Sequence, residues 1–244
     1  MALLAYIRFE AAQLDATHDY NPNGPTETGT TDGTPALDAT AAKYGTNGLH
    51  INGAEVYRYD SATTNINRLT GSIGFWVNVQ TWLNNRAFFV AMGSFFEYTL
   101  GIQMTGSTEL RLRINDQSAT LASSFDTTAA AMAAGNWYFV TSSWDQPNNK
   151  RRIRVYNSDR SLRHEAEDTV TAFSAPADLV GTGGLYFGEG NFLGGALEYY
   201  EDNFFIGSAY ADADTFLANA AITSVTQYAT GQTVNAKLVK TWRQ

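Results

Sequence analysis

Apolar and polar residues alternate with period two along most of this chain, and the apolar positions are dominated by β-branched and aromatic side chains. Such a run places every second side chain on one face of a strand. The pattern predicts strands over 3–9, 48–51, 54–59, 71–79, 87–92, 96–104, 109–115, 117–125, 137–144, 151–157, 161–168, 183–187 and 196–206. In 71–79, 137–144 and 196–206 the alternation predicts one buried face each. Turn residues separate the runs: Asn52-Gly53, Asn84-Asn85, Asn115-Asp116, Asp145-Gln-Pro-Asn-Asn149 and Asn157-Ser-Asp159. One helix is predicted at 212–221, capped by Asp212 or Asp214, and a last strand at 235–242. Residues 15–46, rich in Thr, Gly, Asp and Pro, read as a long loop. Short strands spaced by turns predict an all-β, two-sheet antiparallel β-sandwich of jelly-roll type with one short C-terminal helix. The sandwich is expected over 1–221, with 222–244 as a tail that adds a strand or contacts another subunit.

Composition narrows the function classes. The chain has 244 residues, a net charge of −8 and 16% charged residues, against about 25% in an ordinary domain. Aromatics make up 13%, enough for a large core, which excludes wholesale disorder. An acidic chain without a basic run is a poor sheath for phosphates, so no nucleic-acid partner is expected. No apolar stretch approaches the ~18 residues of a membrane span. Cysteine is absent, which removes disulfides and thiolate chemistry together. The first ten residues lack a basic leader region and read as a strand and not as a signal peptide.

Five segments in order carry a family pattern: Ala5-Tyr-Ile-Arg-Phe-Glu10; Lys43-Tyr-Gly-Thr-Asn-Gly-Leu-His-Ile-Asn-Gly53; Gly71-Ser-Ile-Gly-Phe-Trp-Val77; Gly135-Asn-Trp-Tyr-Phe-Val-Thr-Ser-Ser-Trp-Asp145 with Arg152-Ile-Arg-Val-Tyr156; and Gly184-Leu-Tyr-Phe-Gly188 with Gly195-Ala-Leu-Glu-Tyr-Tyr-Glu-Asp-Asn-Phe-Phe-Ile206. Together they resemble the laminin-G-like branch of the concanavalin A-like lectin/glucanase superfamily, over residues 3 to about 220. The resemblance implies a concanavalin A-like jelly roll. It leaves function open, because this fold hosts lectins, virion proteins, hydrolases and lyases. The hairpin departs from the family pattern at Asn157-Ser-Asp159, where Asp-Gly is usual. The resemblance also implies a structural Ca²⁺ between Glu10 and Asp202. The alternative is that Asp202 bonds backbone N–H groups without an ion.

Catalytic motifs are incomplete. A glycosidase needs two carboxylates flanking one bond. Glu165 and Glu167 lack the third acid of the glucanase strand, and Glu201 points away from the face shared by Glu198 and Asp202. Ser107-Thr-Glu-Leu-Arg111 and Tyr186-Phe-Gly-Glu-Gly-Asn-Phe192 echo two alginate-lyase strands, but Ser107, Gly188 and Phe192 stand where Arg, Lys and Tyr are required. His164 is the one histidine between the two echoes, and His18 and His50 read as structural residues. For binding, Trp82 with Asn84, Asn85 and Arg86 is one glycan-stacking candidate, and Tyr57 with Tyr59 on one strand face is a second; core packing or a protein interface is the alternative for both. Trp76, Trp137 and Trp144 are assigned to the core.

The expected function is a noncatalytic surface-binding protein of a phage virion, as capsid decoration or fibre, with weak lectin-like glycan recognition. The alternatives are a polysaccharide-degrading enzyme, a lyase before a glucanase, and a lectin module of a larger secreted protein. Expected partners are glycans or other virion subunits in a homo-oligomer or larger assembly, at the virion surface or outside the cell. Loop 15–46 and the tail are expected to contact those subunits.

Overall fold

A computed structural model describes residues 3–10, 13–14, 27–53, 55–59, 66–67, 69–83, 86–92, 98–105, 108–114, 123–127, 130–173, 184–188 and 197–219. In chain order the strands are β1 (Leu3–Ile7), β2 (Gln13–Leu14), β3 (Glu27–Thr28), β4 (Thr30–Asp32), β5 (Ala36–Asp38), β6 (Gly48–Asn52), β7 (Val56–Tyr59), β8 (Thr70–Thr81), β9 (Arg86–Met92), β10 (Tyr98–Met104), β11 (Leu110–Ile114), β12 (Ser123–Asp126), β13 (Trp137–Asp145), β14 (Lys150–Tyr156), β15 (Leu162–Asp168), β16 (Leu185–Gly188) and β17 (Glu198–Gly207). Helix α1 (Ala213–Asn219) follows a 3-10 turn at Tyr210–Asp212.

Two antiparallel sheets form among the described residues. The first runs β15-β14-β13-β8-β17-β6-β5, with β1 also on β17. The second runs β12-β11-β10-β9-β16-β7-β4, and β2 pairs with β3 apart from both. Inward-facing side chains of both sheets build the main core. Phe75 and Phe204 of the first sheet meet Phe89 and Phe187 of the second, with Phe204 centred 4.7 Å from Phe89 and 5.0 Å from Phe187. The Tyr199 hydroxyl donates to the Phe88 carbonyl at 3.0 Å and ties the sheets together. The architecture is the two-sheet sandwich with one short C-terminal helix that the alternation predicts.

Two expectations need correction. The central strands are buried on both faces and not on one: β8 and β13 are buried along nearly their whole length. The cause is a second cluster on the outer face of the first sheet, in which Tyr6, Trp76, Phe139, Tyr156 and Phe205 are covered by Ala213 and Phe216 of α1. Gly74 leaves the space that the Phe216 ring needs, since a Cβ there would lie 2.8 Å from it. Residues 15–46 are also not one loop. Their described part holds β3, β4 and β5, with β4 pairing on β7 and β5 on β6, so each sheet gains an edge strand from it. Turn-rich composition hid these two- and three-residue strands, because they are too short for alternation to register. The tail 222–244, its strand at 235–242, and residues 15–26 with His18 lie outside the described residues.

Candidate functional site

The predicted sites separate on burial. Tyr57 and Tyr59 do share a strand face, but it is the inner one: they are 3% and 0% exposed and pack edge-on, 5.4 Å apart, within the main core. They present no ring face to a glycan, and that candidate is withdrawn. Trp82 is half-buried, lies edge-on to Phe88 at 6.5 Å and packs on the margin of the core. Arg86 opens β9 and is half-buried, while Asn84 and Asn85 lie outside the described residues. Trp76 and Trp144 are fully buried. Trp144 belongs to the main core and Trp76 to the outer cluster. Trp137 departs from its core assignment, being half-buried at the edge of that outer cluster.

Glu10 and Asp202 both act on the segment 43–47. The Asp202 Oδ2 accepts from the Lys43 N–H at 2.9 Å and the Tyr44 N–H at 2.7 Å. Glu10 accepts from the Thr46 N–H at 3.0 Å, from the Thr46 hydroxyl, from the Asn47 N–H at 3.2 Å and from the Arg8 guanidinium at 3.0 Å. A Ca²⁺ ion takes six to eight oxygens as ligands. Here Glu10 and the Asp202 Oδ2 meet N–H donors and a guanidinium, as in the backbone N–H alternative, whereas the buried Asp202 Oδ1 has no hydrogen-bond partner. No group of three or more His, Asp or Glu able to hold a metal occurs among the described residues.

A different constellation emerges from register. Ala36 of β5 stands opposite His50 of β6, His50 opposite Tyr200 of β17, Tyr200 opposite Asn78 of β8, and Asn78 opposite Trp137 of β13. Paired residues point to one face, so this row crosses five strands on the outer side of the first sheet. Four inter-strand steps of about 4.8 Å give it a length of about 19 Å. The segment 43–44, held down by Asp202, bounds the row on one side, with Tyr44 edge-on to Trp76 at 5.7 Å. Glu198 and Gln80 flank the other side. The Gln80 amide donates to the Asn78 carbonyl oxygen at 2.8 Å. His50 is clasped from both ends, with Nε2 3.2 Å from Glu198 and Nδ1 3.5 Å from Asp38, and its ring meets Tyr200 edge-on at 4.8 Å. The His50 side chain is 22% exposed and its two acids 34%, so the group is ordered yet reachable.

Titration differs between the carboxyl at this face and those enclosed in the sandwich. At Asp38 burial acts to raise the pKa, but the Thr40 hydroxyl, the N–H groups of Ala41 and Thr40 and the nearby His50 together hold it below the ordinary value. A general acid requires the reverse. The carboxyls that burial pushes well up are Glu201, enclosed between the sheets, and Asp202, beneath the 43–44 segment. Neither opens onto the row. Sequence reading missed this face because its members come from separate strands. Only the Glu198-x-Tyr200 and Asn78-x-Gln80 spacings signal that members share a side.

The fold is a two-sheet antiparallel β-sandwich. Similar solved structures include the receptor-binding domain of botulinum neurotoxin mosaic serotype C/D, bound to tetraethylene glycol and sulfate, at a TM-score of 0.59 and 11% identity over 90% of this chain and 50% of that one. The binding domain of botulinum neurotoxin DC in complex with rat synaptotagmin II gives a TM-score of 0.57 at 11% identity, over 89% of this chain and 51% of that one. The same domain in complex with SialylT gives 0.55 at 13%, over 88% and 49%. At such identities the likeness is one of fold, and this chain spans about half the length of those structures. No protein-family model and no curated protein matches the chain.

Proposed function

We propose that this chain is a noncatalytic binding module of the laminin-G-like type that recognises glycans weakly, as capsid decoration or fibre of a phage virion. The observation that carries the binding reading is the outer row of Trp137, Asn78, Tyr200 and His50. Apolar sugar C–H faces stack on aromatic rings, while amides, imidazole and carboxylates bond the hydroxyls; a few fixed polar groups among aromatic ones is the usual make-up of a ligand site. The receptor-binding neighbours, one of them a complex with SialylT, support a binding role. The acids that burial raises, Glu201 and Asp202, are enclosed away from the row, which supports binding without catalysis. The Thr-, Ala-, Asn- and Gly-rich, cysteine-free composition supports the virion setting. Labelled protein on an oligosaccharide array tests the reading: it should retain a subset of sugars and release no cleaved product from them. An array without retained label, or reducing ends appearing over time, would count against it.

A further inference from the structure

Resting on that glycan-binding reading, we infer that the outer row takes oligosaccharides of uncharged or amino-substituted hexoses and rejects acidic ones. The row's aromatic floor is Tyr200 and Trp137, and its hydroxyl-bonding edge is Asp38, His50 and Glu198. Two carboxylates clasp a single imidazole there, so the edge carries at most one positive charge against two negative ones. Carboxylate oxygens accept from sugar hydroxyls or from an ammonium group and repel the carboxylate of a sialic or uronic acid.

The cations nearest this face stand at its 43–44 wall and beyond the Trp137 end, away from the Asp38 and Glu198 carboxylates, and Arg160 acts on Tyr44 of that wall. The Lys43 ammonium lies 5.0 Å over the Trp76 ring and bonds the Ser158 hydroxyl at 2.6 Å. Arg152 bonds Asp214 at 2.6 Å, and Arg154 is held between Glu165 and Asp214. The whole chain carries −8, which adds to the rejection of acidic sugars at low salt. Asp38 and Glu198 are thus selective by charge, and Tyr200 by stacking.

Calorimetric titration with chitotetraose, cellotetraose and 3′-sialyllactose tests this on the intact chain. At least one neutral tetrasaccharide should bind, Tyr200→Ala should weaken it at least tenfold, Tyr200→Phe should restore most of it, and Trp82→Ala should leave it unchanged. Sialyllactose should not bind until Asp38→Asn and Glu198→Gln are combined. Because Tyr200→Ala could compromise folding, the His50 ring proton signals of the unmodified protein provide a second readout and should shift during the chitotetraose titration. Sialyllactose binding better than the neutral sugars, in a Tyr200-dependent way, would overturn the charge selectivity and leave glycan binding standing. Neutral-sugar binding that Trp82→Ala abolishes, with the His50 signals unmoved, would overturn the site. Binding of none of the three sugars would overturn both the inference and the reading beneath it.

Discussion

Glu201 stands in register with Leu49 and Val77 on the inner face of β17, fully buried, and neither carboxyl oxygen has a hydrogen-bond partner. Burial, reinforced by the neighbouring Asp202, pushes its pKa well up, so the native side chain is the neutral acid. The unfolded chain releases that proton above about pH 4.3, whereas the folded chain keeps it. The stability this group permits is therefore fully present below that pH and is lost as pH rises toward the folded-state pKa. Replacing it with Leu removes two unsatisfied polar atoms, for a gain of about 1–3 kcal/mol. Glu201→Leu should melt higher than the parent at pH 8, with a smaller difference at pH 4.5; equal melting curves at both pH values would refute this. The alternation of Glu198, Glu201 and Asp202 already showed that Glu201 faces away from the other two. That the other face is the core could not be read, because it depends on β6 and β8 lying on either side. Tyr57 and Tyr59 were misread for the same reason: spacing gave a shared face without saying which face.

At the scale of elements, the segment 39–47 joins the edge strand β5 to β6 and sets the wall of the outer row. Its fold depends on three carboxylates. Asp38 accepts from the N–H groups of Thr40 and Ala41 and so caps the 3-10 turn at Ala39–Ala41. Asp202 and Glu10 hold the remainder. Gly45 has φ +80°, and a Cβ there would run into the Glu10 carboxylate. Gly45→Ala should cost about 1–3 kcal/mol, from the left-handed backbone together with the displaced carboxylate. It should also weaken neutral-sugar binding through the shifted wall; an unchanged melting temperature would show that Glu10 does not anchor this segment. Since N–H groups and Arg8 take the Glu10 oxygens and the Asp202 Oδ2, EDTA should leave the melting temperature unaltered; a fall reversed by added Ca²⁺ would make the ion, seated at the unpartnered Asp202 Oδ1, the anchor. The resemblance brought Glu10 and Asp202 to one segment. It could not tell a cation from N–H donors, because both satisfy the same oxygens.

For the whole molecule, the long strands and the sandwich were legible because alternation over seven or more residues leaves few other ways to bury the apolar face. The outer cluster under α1 was not. Its aromatics Trp76, Phe139 and Phe205 sit at the positions between the core residues, and a strand apolar on both sides loses its alternation. That second cluster also holds the half-buried Trp137 at the end of the row, with the half-buried Tyr200 and His50 beside it. We propose that this face holds sugars without changing them. Saturation-transfer NMR on a chitotetraose mixture tests it most directly. Magnetisation should pass from the protein to the sugar ring C–H protons and disappear in Tyr200→Ala, while the sugar spectrum stays identical after prolonged incubation. Absence of transfer, or new anomeric or unsaturated-sugar signals growing with time, would contradict it.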